Sequence, residues 1–146
     1  MSELNEQLRN EIYRQMRVCS EMYKPIFSGL MEGSASRVSS FVSEVLIFEE
    51  MLHPYIIARK ESDFEYLKPL EIIDKYKRDP TLVYRELYLK EDGKRLDENN
   101  PEQANEIGKR RTRFFIMFER IRQVLNRFAF ELGLVDVNKN FEGSRV

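Results

Sequence analysis

The sequence predicts an all-α protein, a single-domain bundle of four to six helices with a long C-terminal central helix. Three observations carry that prediction. First, residues 107–135 read IGKRRTRFFIMFERIRQVLNRFAFELGLV. At about 100° per residue, Phe118, Ile121, Leu125, Phe128 and Leu132 all fall within about 40° of Phe114. Apolar residues spaced alternately three and four apart follow the helix period and exclude strand alternation. Second, no segment sustains period-two alternation, no Asn-Gly hairpin turn occurs, and no repeat is evident. Third, charged residues reach 34% while Gly numbers only 6, which suits helices carrying long solvated side chains.

Taken in order, residues 2–23 predict a helix, with Ser2 and Asn5 as candidate caps and Leu4, Leu8, Ile12, Met16, Cys19 and Tyr23 as its buried stripe. Pro25 is expected to end or interrupt it, and residues 26–31 to form at most a short helical turn. Residues 33–36 (GSAS) make a connector from which Ser34 or Ser36 can cap a second helix. That helix buries Val38, Phe41, Val42, Val45, Phe48 and Leu52, while Leu46, Ile47 and Met51 lie off its core face and suggest cover on a second side. Pro54 either ends it near His53 or kinks a helix reaching about Glu61. A short helix is expected from Pro69 to Lys77. The next begins with Asp79 as N-cap and Pro80 at the first helical position, carries the stripe Val83, Tyr84, Leu87 and Tyr88, and closes on an Asp92-Gly93 turn. A polar loop leads to Asn100, Pro101 and Glu102, which mark the start of the central helix, and Gly133 marks its end. Gly108 weakens the pattern by about 1 kcal/mol relative to Ala, so a bend or a later start at Lys109 is open. The domain is expected to occupy residues 1–135, followed by a frayed polar tail over 136–146.

A chain of 146 residues can bury about two-thirds of its unfolded surface and needs no metal or disulfide staple. Net charge is −1, which gives no global preference for a polyanion, but the distribution is uneven. Residues 61–106 hold thirteen acidic and eight basic side chains, whereas residues 104–135 hold seven basic and three acidic ones. The simplest expectation is that the two segments pack together. A single cysteine, no signal-peptide pattern and no uninterrupted apolar span lead to the expectation of a cytoplasmic protein without a membrane span.

Two features of the central stretch go beyond an ordinary amphipathic helix. Ile116, Phe130 and Leu134 project opposite Phe114, which predicts either cover from the chain itself or an apolar strip for a partner. Arg113, Arg120 and Arg127 recur every seven residues beside the core face and, with Lys109 and Arg110, form a possible anion or nucleic-acid contact. The bland reading of that stripe, a solvated and salt-bridged face, weighs against it because the acidic segment stands next to it in the chain.

Other chemistry is thinner. Glu50 and His53 form a Glu-x-x-His pair at helical spacing, as carboxylate-bridged di-metal bundles use, but His53 is the only histidine, so a second pair cannot exist. Asp136, Asn138 and Asn140 imitate the opening of a calcium loop, yet Phe141 replaces its required glycine. Cys19 on an apolar stripe reads as a small buried hydrophobe rather than a nucleophile. No Walker A loop, dinucleotide fingerprint or G-x-S-x-G sequence is present. No cofactor and no assembled catalytic residue are expected. The reading is a non-enzymatic protein-interaction module, self-associating into a homo-oligomer or serving as an adaptor, with contacts at Ile116, Phe130 and Leu134. The alternatives are a nucleic-acid-binding domain using Lys109, Arg110, Arg113, Arg120 and Arg127, and a metal protein centred on Glu50 and His53.

Overall fold

The computed structural model describes residues 6–28, 35–58 and 62–134. Five α-helices follow in order: α1 (Glu6–Ser28), α2 (Ala35–Ala58), α3 (Ile73–Arg78), α4 (Leu82–Tyr88) and α5 (Pro101–Glu131), with a 3-10 segment, Ser62–Ile72, before α3. Among the described residues there is no strand, only one isolated antiparallel bridge between Leu89 and Arg95. The expected caps Ser2, Asn5 and Ser34, the calcium-like stretch and the tail over 136–146 lie outside the described residues.

The long helices α1, α2 and α5 build the core. α2 packs against both others and also touches α4. Its inward stripe, Val38, Phe41, Val42, Val45, Phe48 and Leu52, is buried to 1% exposure or less. From α1 come Ile12, Met16 and Cys19; from α5 come Phe114, Phe118, Ile121, Leu125 and Phe128. Burying each such side chain contributes roughly 1.5–3 kcal/mol. Rings fill the space between helices. Phe115 stacks on Tyr23 with centroids 5.4 Å apart, and Tyr76 of α3 meets Phe114 and Phe118 edge-on at 5.7 and 5.6 Å.

The prolines in the interiors of α1 and α2 are both tolerated. α1 runs through Pro25 to Ser28, and α2 runs through Pro54 to Ala58. Pro54 is exposed, on the side of α2 away from the core. Lacking an N–H, it leaves the Glu50 carbonyl without its helical donor on the side where water can replace it. The helix pattern on either side of each proline therefore outweighs one lost bond.

The boundaries of the short elements moved for identifiable reasons. α4 starts at Leu82 rather than at Pro80, and its N-cap position, Thr81, makes no side-chain cap. Asp79 acts two residues earlier: it accepts hydrogen bonds from Thr81 N at 3.1 Å and Thr81 Oγ1 at 2.8 Å, and pairs with Arg85. The Asp92-Gly93 turn forms as expected, with Gly93 at φ +86° and Lys94 N donating to Asp92 Oδ1 at 2.9 Å. It closes a one-bridge hairpin that places Leu96 in the interior.

α5 begins where the sequence places it. Asn100 Oδ1 accepts from Glu102 N at 2.9 Å and Gln103 N at 3.3 Å, and the helix continues without interruption through Gly108. Its end is a Schellman turn: Gly133 N donates to Phe130 O at 3.0 Å and Leu134 N to Ala129 O at 2.9 Å, with Gly133 at φ +71°.

Candidate functional site

The Schellman turn corrects one expectation directly. A helical wheel places Leu134 on the far face of α5, but the helix stops at Glu131 and the chain reverses at Gly133. Leu134 is carried back into the core and is 3% exposed. Phe130 is half-buried and packs against the same cluster. Of the expected strip Ile116, Phe130 and Leu134, the chain itself takes up the last two, and Ile116 alone stands in solvent at 57% exposure.

The basic residues divide in a similar way. Arg110 is not a surface charge. Its Nε donates to Glu106 Oε2 at 2.9 Å, and its Nη1 donates to the carbonyls of Glu86 at 3.1 Å and Leu89 at 2.8 Å. The guanidinium thus caps the C-terminal end of α4, where helix carbonyls lack partners. Arg113 shares Glu106 at 3.7 Å. The hydrogen bond from Arg110 and the surrounding cations hold the Glu106 carboxyl below its usual range. Arg127 pairs with Glu131 at 2.9 Å and lies 3.8 Å over the Tyr66 ring. Tyr66 in turn donates to Glu131 at 2.9 Å. Lys109 and Arg120 are exposed. The carboxylates that pair with these arginines, Glu106 and Glu131, both belong to α5 itself, and the segment before α5 contributes the carbonyls of Glu86 and Leu89 and the ring of Tyr66 instead of acidic side chains.

His53 pairs with Glu49 rather than with Glu50. Its Nδ1 lies 3.0 Å from Glu49 Oε2, and Lys77 Nζ of α3 lies 3.0 Å from Glu49 Oε1. A carboxylate only accepts, so the Nδ1 position carries the proton. Glu49 is 4% exposed while Glu50 faces solvent. The arrangement is a charge lock between α2 and α3, and it sets the imidazole against Glu49 instead of the Glu50 of the Glu-x-x-His pair. Among the described residues no three His, Cys, Asp or Glu side chains group to hold an ion. Cys19 is fully buried, and burial together with the nearby Glu44 pushes its thiol up to about 12, the opposite of an activated nucleophile.

The sequence reading passed over one surface. On α2 the side opposite the core carries Ser40, Ser43, Ile47, Glu50, Pro54, Ile57 and Ala58, all exposed. Ile47 is 47% and Ile57 51% exposed. Glu50 is the only charge on this stripe between Ser40 and Ala58, and the exposed Arg37 stands at its N-terminal end. The signal was present: Ile47 already lay off the core face, and the outward positions of α2 are short of charge for a solvated helix. The stripe was missed because the same pattern fits a helix covered on two sides by its own chain.

Comparison with known protein families, characterised proteins and solved structures gives no match.

Proposed function

We propose that this chain is a non-enzymatic helical interaction module that associates with a second copy of itself through the outer stripe of α2. The observation that carries the reading is the pair of exposed isoleucines, Ile47 and Ile57, ten residues apart on one nearly uncharged face. Two copies related by a two-fold axis present the same patch to each other. An antiparallel crossing that sets Ile47 against Ile57 of the second copy places Glu50 opposite Pro54, so this carboxylate does not meet itself. A net charge of −1 leaves little long-range repulsion between copies.

Ile116 is a poorer centre for a symmetric contact. Lys109, Arg113 and Arg120 surround it on α5, and two such faces would repel. The nucleic-acid reading loses support for a related reason. Arg110 and Arg127 are paired with Glu106 and Glu131, and Arg113 reaches the already paired Glu106 only at 3.7 Å, which leaves Lys109, Arg113 and Arg120 of the five to meet phosphates. Three phosphate contacts give only weak binding with a shallow salt dependence.

The test is a pair of substitutions on solvent-facing positions. Ile47→Glu with Ile57→Glu is expected to weaken association by at least tenfold while leaving helical circular dichroism unchanged. Association that persists undiminished in the double variant would remove the proposal.

A further inference from the structure

A cleft of about 580 Å³ lies between α4, the turn that follows it and the first half of α5. Leu82, Leu89 and Phe114 form its apolar lining, and Arg85, Lys90, Arg110, Arg113, Glu86, Glu91 and Glu106 its polar lining. The volume falls within the range of about 300–1,000 Å³ common to small-molecule sites, which combine an apolar wall with a few convergent polar groups.

The charges in the cleft do not cancel. Glu86 already accepts from Tyr76 Oη at 2.7 Å and pairs with Lys75 at 3.7 Å. Arg85 is paired with Asp79. Arg110 and Arg113 share one carboxylate, Glu106, which can neutralise only one of them. The side chain of Lys90 has no partner among the described residues, and Glu91 is exposed at the rim. Summed over the lining residues and these partners, the positive groups are Lys75, Arg85, Lys90, Arg110 and Arg113, and the negative ones Asp79, Glu86, Glu91 and Glu106. One positive charge remains. Arg113 is the group best able to deliver it: its side chain is 69% exposed and its contact to Glu106 is long at 3.7 Å. The walls are fixed in advance, because Arg110 ties the carbonyl end of α4 to α5, so little ordering has to accompany binding.

We propose that this cleft binds a small organic monoanion, a carboxylate carrying an apolar chain, with its head between Arg113 and Lys90 and its chain against Leu82, Leu89 and Phe114. An Arg–carboxylate pair supplies a directed, bidentate contact, and the apolar lining selects against a bare anion. The site lies on elements other than α2, so it stands or falls separately from the association of two copies.

Octanoate is the probe, titrated into the isotopically labelled full chain and followed by amide chemical shifts. Saturable shifts are expected within residues 82–93 and 106–114. Octan-1-ol and acetate, each carrying one half of the ligand, should bind at least roughly tenfold more weakly, as expected for loss of a charge-assisted contact or of the buried chain. Lys90→Ala with Arg113→Ala should weaken octanoate by a similar factor at unchanged melting temperature, and Lys90→Arg, which leaves the bidentate Arg113 in place, should retain binding. Absence of shifts at millimolar octanoate, shifts centred on Ile47, Ile57 or Ile116, or unchanged affinity in the alanine pair would each overturn the proposal.

Discussion

Gly133 shows how one residue redirects another. Its left-handed backbone closes the Schellman turn, and that turn rather than the helix face decides where Leu134 goes. Gly133→Ala forces a Cβ into a conformation that L-residues rarely adopt, although nothing lies within 4 Å of the new atom. The cost is therefore backbone strain alone, about 1 kcal/mol, read as a lower urea midpoint at unchanged m-value. Core residues such as Phe114, Phe118 and Leu125 were legible because a wheel assumes an uninterrupted helix, which holds for them. Leu134 was not, because the wheel was extended past the residue that ends the helix. Glu49 was legible in principle: it falls on the side of α2 shared with Val45 and Leu52, and a carboxylate there requires partners. The Glu-x-x-His spacing drew the reading to Glu50 instead. Lys77, from a separate helix, could not be paired with Glu49 by spacing at all.

At the scale of elements, the three long helices were readable because each carries an apolar stripe for most of its length. The short ones were not, because one or two turns give too few positions to fix a period. The segment Ser62–Ile72 is a 3-10 helix continuous with α3, where the sequence predicts only a short helix beginning at Pro69. α5 offers the cleanest test of helix propensity. A Cβ at Gly108 would meet only Arg111 Nη2, at 3.8 Å, and φ there is helical. Gly108→Ala is expected to stabilise the protein by about 0.5–1 kcal/mol in chemical denaturation, since it narrows the unfolded ensemble without a clash. A loss of stability would show that the position needs glycine for close approach. The stripe on α2 is the opposite case. Its exposure could not be read from the sequence, because a second apolar side means either internal cover or a free face, and only the packing of α1 and α5 around the core decides between them.

For the whole molecule, pH resistance and assembly follow from the same packing. Burial, reinforced by Glu44, raises the Cys19 thiol from 9.0 to about 12. Across that window the folded state holds a proton that the unfolded state releases, so the contribution is complete below pH 9 and declines as pH rises toward 12. Tyr66 and Tyr76 add to the decline above pH 10, since burial and then hydrogen bonds to Glu131 and Glu86 raise both phenols. Unfolding free energy should therefore fall through the alkaline range, and Cys19→Ala should make that fall shallower, as measured by urea titrations at several pH values. Assembly is proposed to bring two copies together through Ile47 and Ile57. Sedimentation equilibrium of the unmodified chain over a wide concentration range tests it most directly. The expected weight-average mass rises from the 17.5 kDa of one chain toward twice that value, and a mass that stays at one chain at every concentration would rule the association out.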